Sequence, residues 1–266
     1  MRLDLMTSPE IEAYRRRTPG VIVPVGSLEQ HGAQGLLGTD ALAAEAVARE
    51  VGARTGAAVA PTLAYAPAQF NLGFAGTVSL RPSTMTALVV DLIVSFGRGG
   101  FGRLLFVNGH GANTAPIHVA IQEVMSEVSV GRLAFPRPVT AKLRAWWEGP
   151  RVQQLRRDLY GDREGFHVTP SEVAIVAALH PERAPSPAGW PPFQPLPDDP
   201  LLEHGGDRHE DADRHARRYP TGIVGSDPAL VLPGHGETLL NAAAADLAEL
   251  WHGFIAAPDP AGQSGR

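Results

Sequence analysis

The 266-residue chain contains no cysteine. This excludes disulfide cross-links and thiolate metal sites, and it leaves histidine and carboxylate side chains as candidate metal ligands. No apolar run reaches about 18 residues, so no transmembrane helix is predicted. The amino-terminal segment lacks the apolar core of a secretory signal, and we therefore expect a cytoplasmic protein.

Lysine and arginine total 23 against 28 acidic residues. Because no basic block occurs, neither nucleic acid nor a membrane is an expected partner.

Common catalytic and nucleotide-binding motifs are also missing. The sequence has no Gly-x-Ser-x-Gly nucleophile motif, and no thiol is present to act as a nucleophile. The stretch 97–102 fits G-x-G-x-x-G, but it follows a predicted helix and precedes a predicted strand, which indicates a helix C-terminal turn. His209, Glu210 and His215 have the wrong spacing for a zinc-protease motif, so we interpret this segment as a solvent-exposed charged helix.

Strand-like and helix-like runs alternate along the chain. Strands are predicted at 21–25, 57–64, 103–107 and 133–141. One helix is predicted to begin at Ala41 after Asp40, and further helices are predicted at 83–96, 115–127, 171–179 and 237–254. This alternation favours an α/β fold with a mostly parallel sheet covered by helices on both faces. We predict one domain over residues 1–257, a proline-rich loop at 181–200 and a disordered tail at 258–266.

Polar residues with potential chemistry follow two of the predicted strands. Glu29 and His31 come directly after the first strand, Asp40 opens the next helix, and His110 follows the third strand. Ligands of open α/β sheets bind at the carboxyl ends of the strands, so these side chains are expected to meet at one edge. A third segment contributes His167 and Glu172.

Two histidines and three carboxylates suit a pair of divalent ions such as Zn²⁺, Mn²⁺ or Fe²⁺. Two ions about 3.5–4 Å apart that share a carboxylate can generate a bridging hydroxide, and this hydroxide can attack an amide carbon. Each of these residues also has an alternative interpretation that does not involve a metal. A histidine after a strand is often structural, Asp40 is also a good helix cap, and Glu172 lies in an apolar run where it is either exposed or holding a ligand.

These segments together resemble the creatininase family of amidohydrolases. Residues 26–32 and 38–40 match the first family signature, residues 108–113 match the Asn-Gly-His-Gly-x-Asn element, and 167–172 match a later His-to-Glu element with the same spacing. Residues 74–77 and 225–228 also resemble family segments. The similarity runs from about residue 21 to residue 247.

The resemblance implies a three-layer α/β/α sandwich with two divalent metal ions per chain (Zn, Mn or Fe). The implied ligand sets are Glu29, Asp40 and His110 for one ion, and His31, Asp40 and Glu172 for the other. Asp40 would bridge the two ions, and His167 would protonate the leaving nitrogen. Family members often form hexamers, so a homo-oligomer, such as a hexamer, is implied.

Departures from the family pattern bear on the substrate. Gln34 replaces the second histidine of the first signature, at a position that is not a usual ligand. Ala112 stands where creatininase carries a glutamate ligand, and no Trp-Asp pair precedes His167. Creatinine is therefore a disfavoured substrate. The leading prediction is hydrolysis of a C–N bond in a small-molecule cyclic amide, a formamide or a small peptide-like substrate.

Two other functions are compatible with the same residues. One is a non-catalytic metal-binding or assembly module with the same fold. The other is metal-assisted phosphoester hydrolysis, which the lack of a phosphate-cradling loop or a Lys/Arg cluster near the motifs disfavours. Trp146 and Trp147 are predicted to pack between helix and sheet rather than to line a substrate pocket.

Overall fold

A computed structural model of the chain describes residues 1–183, 190–196 and 211–259. Its sheet has four strands, β1 (Gly20–Val25), β2 (Ala58–Val59), β3 (Arg103–Asn108) and β4 (Thr140–Ala145), in the order β2-β1-β3-β4. Every neighbouring pair is parallel. Val25 pairs with Asn108 and Asn108 pairs with Ala145, so β1, β3 and β4 end level with one another. The loops that follow them consequently leave from one edge of the sheet.

Helices cover both faces of this sheet. In the described residues they are α1 (Ser8–Arg17), α2 (Thr39–Thr55), α3 (Pro82–Arg98), α4 (Thr114–Ser129), α5 (Pro150–Tyr160), α6 (Pro170–Leu179), α7 (Ala212–Arg218) and α8 (His235–Ala256). Ile22 of β1 packs in a core with residues of α2, α5, α6 and α8. Its neighbours Val21 and Val23 pack in a second core with residues of α1, α3 and α4. The predicted three-layer α/β/α fold is confirmed.

The two central strands, β1 and β3, could be predicted from the sequence because both are fully buried. All six residues of β1 and all six of β3 are buried. A strand that is covered on both faces needs apolar residues at nearly every position, and this produces a continuous apolar run. The predictions at 21–25 and 103–107 therefore fall within the observed strands.

The edge strands were predicted less well. The fourth strand covers Thr140–Ala145, so the prediction of 133–141 was wrong over residues 133–139. Pro136 and Pro138 interrupt that region, whereas the strand itself carries exposed Lys142 and Arg144, which weaken its apolar pattern. The second strand has only two residues rather than the predicted eight.

The remaining helix and loop predictions fall close to the observed elements. The stretch 97–102 forms the end of α3 and the turn before β3, with Gly100 at a φ of 88°, so the prediction of a helix C-terminal turn is confirmed. The predicted loop at 181–200 has no strand or α-helix in its described part, and positions 184–189 and 197–200 lie outside the described residues. The predicted tail lies outside them from position 260 onwards. No helix in the described part of the chain is long and apolar enough to cross a membrane.

Candidate metal centre and its pocket

The predicted ligands lie at the sheet edge where β1 and β3 end. Glu29 and His31 are in the loop after β1, and His110 is two residues beyond β3. Asp40 is the second residue of α2, and Glu172 is the third residue of α6. We call these five residues the ligand cluster. Segments that are far apart in sequence therefore bring two histidines and three carboxylates together.

Two glycines allow the start of α2 to approach the strand ends. A Cβ atom on Gly109 would lie 2.1 Å from the backbone oxygen of Asp40, and one on Gly26 would lie 2.3 Å from the backbone nitrogen of Ala41. Gly38 occupies the N-cap position of α2, so the interpretation of Asp40 as a helix cap is wrong. The carboxylate of Asp40 faces the ligand cluster instead.

Asp40 stands between the two histidines and offers each of them a different oxygen. Its Oδ1 lies 3.2 Å from Nε2 of His31, and its Oδ2 lies 3.1 Å from Nδ1 of His110. Glu29 Oε1 is 3.3 Å from the same nitrogen of His110, and Glu172 Oε1 is 3.7 Å from His31 Nε2. The structure thus groups Glu29, Asp40 and His110 around one point, and His31, Asp40 and Glu172 around another.

Backbone carbonyls orient both histidines. The Nε2–H of His110 donates to the oxygen of Pro67 at 2.8 Å, and the Nδ1–H of His31 donates to the oxygen of Glu29 at 3.2 Å. In the neutral imidazole, the remaining nitrogen of each ring carries a lone pair directed at the carboxylates. Metal-binding histidines are usually held in this way by a hydrogen bond from the other ring nitrogen.

The cluster has the properties expected of a site for divalent cations. Both carboxylate oxygens of Glu29, Oδ2 of Asp40 and Nε2 of His31 are buried and have no hydrogen-bond partner in the described part of the chain. Buried acceptors that face one another are costly unless a cation or a proton lies between them. Nitrogen and carboxylate ligands without sulfur suit Zn²⁺, Mn²⁺ or Fe²⁺, so these residues fit the predicted metals.

Protons take the place of cations in the metal-free protein. Burial opposes the charged form of His31, but Asp40, Glu172 and Glu29 outweigh it and raise the pKa of His31 to about 10. Burial likewise opposes protonation of His110, and Glu29 and Asp40 raise its pKa well above the usual value. Burial raises the pKa of Glu172 to about 7 against the attraction of His31. Metal binding would therefore release protons.

His167, the predicted proton-transfer residue, lies beside the ligand cluster. Its Nδ1 is 3.6 Å from Oε1 of Glu29, and its ring centre is 4.5 Å from that of His31. Burial and the charge of His31 lower its pKa to about 4. The next residue, Val168, has a φ of 58°, which is a strained conformation for a β-branched side chain. This turn separates His167 from Thr169, which caps α6.

The neighbouring amides define which nitrogen of His167 carries the proton. The Nε2 group of Gln30 donates to Oδ1 of Asn71 at 2.9 Å and to the oxygen of Gly222 at 3.0 Å, which uses both of its hydrogens. The backbone oxygen of Gln30 can only accept a hydrogen bond, so Nε2 of His167 donates to it at 2.9 Å. Its Nδ1 is left as the basic nitrogen, on the side that faces Glu29.

A cavity of about 340 Å³ opens over the cluster. This volume suits a small organic molecule. Both Trp146 and Trp147 line the cavity, so the prediction that they only pack between helix and sheet was incomplete. Trp146 does pack in the core, where it is 2% exposed. The two rings meet edge to face with centres 5.6 Å apart, and Phe166 extends the aromatic wall.

Sequence reasoning missed two polar residues of this cavity. Arg156 lies on α5, which was not predicted because its surface is mostly charged. His215 lies on α7 and is buried, with its ring 5.4 Å from that of Phe70. The interpretation of this region as a solvent-exposed helix is therefore wrong for His215, while His209 and Glu210 lie outside the described residues. Packing against residues far away in sequence left no local signal.

The family model described as creatininase, creatinine amidohydrolase, matches residues 4–251 of the chain. The chain belongs to the creatininase family. The creatinine amidohydrolase of Pseudomonas putida is 32% identical over 198 residues, which cover 68% of this chain and 74% of the relative. A mycofactocin precursor peptide peptidase from Mycolicibacterium smegmatis is 42% identical over 112 residues, which cover 39% of this chain and 44% of the peptidase.

Solved structures of the family superimpose over almost the whole chain. A crystal structure of creatinine amidohydrolase has a TM-score of 0.81 and 25% identity, and it covers 97% of this chain and 98% of that one. Two further creatininase structures, with TM-scores of 0.74 and 0.76, are described as a Zn–Zn type and as a Mn form. This chain is accordingly a creatininase-family hydrolase with residues able to bind metal.

Proposed function

We propose that the chain is an amidohydrolase with two divalent metal ions, Zn, Mn or Fe. Glu29, Asp40 and His110 hold one ion, and His31, Asp40 and Glu172 hold the other. The observation that carries this proposal is the position of Asp40, whose two oxygens face two different histidines at 3.2 and 3.1 Å. A single carboxylate placed in this way is suited to bridging two ions. The Zn–Zn and Mn descriptions of related creatininases support this choice of metals.

The ions, when bound, would lower the pKa of a water molecule and polarise the amide carbonyl. The protein itself supplies the path for the proton. His167 has its Nε2–H fixed on the oxygen of Gln30, so Nδ1 can take a proton from the attacking water and deliver it to the leaving nitrogen. The lowered pKa of this histidine keeps Nδ1 unprotonated, and so able to accept a proton, before the reaction begins.

The proposed substrate is a small-molecule amide from one of three classes, namely a cyclic amide, a formamide or a small peptide-like molecule. The names of the relatives include both a creatinine amidohydrolase and a precursor peptide peptidase, and the cavity of about 340 Å³ suits a small organic molecule. Ala112 lines the cavity and cannot bind a metal, and Phe166 rather than a Trp-Asp pair precedes His167. Both differences argue against creatinine itself.

The biological setting forms part of the same proposal. We propose that residues 1–257 act as one catalytic domain in the cytoplasm and that the chain works as a homo-oligomer, such as a hexamer. Size-exclusion chromatography with light scattering gives the assembly directly. A monomer at micromolar concentration would contradict this part and leave the proposed chemistry untouched.

The test of the proposed function begins with the metal content of protein purified without chelator, measured by mass spectrometry. We expect about two divalent ions per chain and, with them, hydrolysis of at least one member of a panel of formamides, cyclic amides and dipeptides. Near-zero content with no uptake of Zn²⁺, Mn²⁺ or Fe²⁺ would overturn the proposal in favour of a non-catalytic module. Turnover of phosphoesters alone would move the assignment to phosphoester hydrolysis.

A further inference from the structure

Arg156 places a positive charge in the wall of the cavity over the ligand cluster. It lies on α5, lines the cavity together with His110, His167 and Glu172, and its side chain is only 19% exposed. Arginine is rarely buried unless its charge and its donors are used. Trp146, Trp147 and Phe166 also line this cavity, so the guanidinium is a polar group beside aromatic surface that could fix the orientation of a substrate.

One side of the guanidinium is already held by the protein. Its Nε–H donates to Oε1 of Glu164 at 2.9 Å, and the hydroxyl of the buried Ser171 donates to the same oxygen. Ser171 directly precedes Glu172 on α6, so this network connects Arg156 to the helix that carries a member of the ligand cluster. The Cζ atom also lies 6.0 Å from the centre of the Trp146 ring. These contacts fix the position of the guanidinium plane.

The other side of the guanidinium is not used. Neither Nη group donates a hydrogen bond to the described residues, whereas Nε does. Two Nη donors in one plane match the two oxygens of a carboxylate, which is the pairing that arginine makes most specifically. Glu164 offsets part of the charge of Arg156, and this disfavours a dianion such as phosphate more than a ligand with one negative charge.

We propose that Arg156 binds a carboxylate of the substrate, so that the enzyme selects amides that carry a carboxylate away from the bond that is cleaved. The inference rests on the proposed amidohydrolase function. It narrows the substrate class to N-formyl amino acids, dipeptides with a free carboxyl end and related acids. The aromatic wall of Trp146, Trp147 and Phe166 would then contact the part of the molecule between the amide and the carboxylate.

The experiment compares pairs of substrates that differ only at this group, for example an N-formyl amino acid and its carboxamide, or a dipeptide and its C-terminal amide. With metal-loaded enzyme we expect kcat/KM to be at least about tenfold higher for the acid of each pair. Arg156→Met should lower kcat/KM for the acid at least about tenfold more than for the amide, chiefly through KM. Arg156→Lys keeps the charge without the planar fork and should recover part of the preference.

Arg157→Met is the matched control, because Arg157 is an exposed neighbour on α5 whose Nη2 donates to Gln154. It should retain the preference for acids. Equal rates for the two members of each pair, or an equal loss for both in Arg156→Met, would overturn the inference and assign Arg156 a purely structural role beside Glu164. The amidohydrolase proposal would stand in that case.

A direct binding measurement separates the two proposals if no amide in the panel is hydrolysed. Isothermal titration of metal-loaded protein with phenylacetate, phenylacetamide and benzylphosphonate measures the preference without turnover. Tighter binding of the carboxylate than of the amide, lost in Arg156→Met, would support the inference although the hydrolysis proposal had failed. If benzylphosphonate binds more tightly than phenylacetate and its binding also depends on Arg156, the choice of a carboxylate is overturned. Equal affinity for phenylacetate and phenylacetamide would overturn it as well.

Discussion

The ligand cluster and the aromatic wall line the same cavity but are built in different ways. The cluster uses Glu29 and His31 from the loop after β1 and His110 from two residues beyond β3, where short motifs follow the ends of buried strands. The wall uses Trp146 after the edge strand and Phe166 from an irregular segment. The chemistry of the cavity is thus carried by local motifs, and its shape is carried by residues whose placement depends on packing. Removing parts of each region should consequently have different kinetic signatures.

Asp40→Ala tests the ligand cluster most severely. Asp40 faces both histidines, so its loss should remove ligands from both proposed metal sites and abolish activity. Metal content by mass spectrometry and turnover of the best amide substrate measure the effect. Asp91→Ala, which removes an exposed carboxylate from α3, should keep wild-type metal content and activity. Full turnover by Asp40→Ala would refute the proposed centre.

His167→Ala should separate proton transfer from metal binding. We expect the variant to keep its metal ions and to lose about 10²- to 10⁴-fold in kcat, because Nδ1 would no longer carry the proton to the leaving nitrogen. Kinetics and metal analysis on the same preparation make the distinction. His118→Ala, an exposed histidine on α4, serves as the control. Loss of metal from His167→Ala would instead make this residue a ligand, as its proximity to Glu29 and His31 also allows.

Gly109→Ala tests whether close backbone packing positions the cluster. The added Cβ would meet the backbone oxygen of Asp40 at 2.1 Å and should displace the start of α2. We expect weaker metal binding and a fall in kcat/KM of about 10² fold, since a shift of about 1 Å in a catalytic group costs about that much. Gly253→Ala in α8 meets no atom within 4 Å and should stabilise the protein by about 0.5–1 kcal/mol. Unchanged metal affinity in Gly109→Ala would show that this contact is not needed.

The smallest expected effect is a change in stability with pH. The folded-state pKa of His31 is raised from 6.5 to about 10, so the stability it contributes is complete below pH 6.5 and is lost as the pH rises towards 10. Glu172, with a pKa raised from 4.5 to about 7, acts in the same direction at lower pH. Metal ions replace these protons, so the difference in Tm between metal-loaded and metal-free protein should widen from pH 6.5 to 9. A constant difference would contradict the proton-for-metal exchange.

The central strands were predicted more accurately from the sequence than the edge strand β4 and the helices α5 and α7. The buried strands β1 and β3 were predicted because burial on both faces requires continuous apolar sequence. The prediction for edge strand β4 was displaced along the chain, and α5 was not predicted. Both elements are half-exposed, and their charged residues interrupt the regular spacing of apolar residues. The same cause left Arg156 unnoticed. His215 was misjudged because α7 is charged by composition, although that histidine packs against Phe70.

The sequence by itself determined the α/β class, the buried strands and the candidate chemistry, since strand-then-motif order places polar residues at one sheet edge. It left open whether Asp40 caps α2 or faces a ligand, and which side chains shape the cavity. Only the tertiary structure decided these points. The approach of α2 over Gly26 and Gly109 turns Asp40 towards both histidines, and the packing of α5 and α7 brings Arg156 and His215 into the cavity. Such contacts join residues far apart in sequence, and no local pattern encodes them.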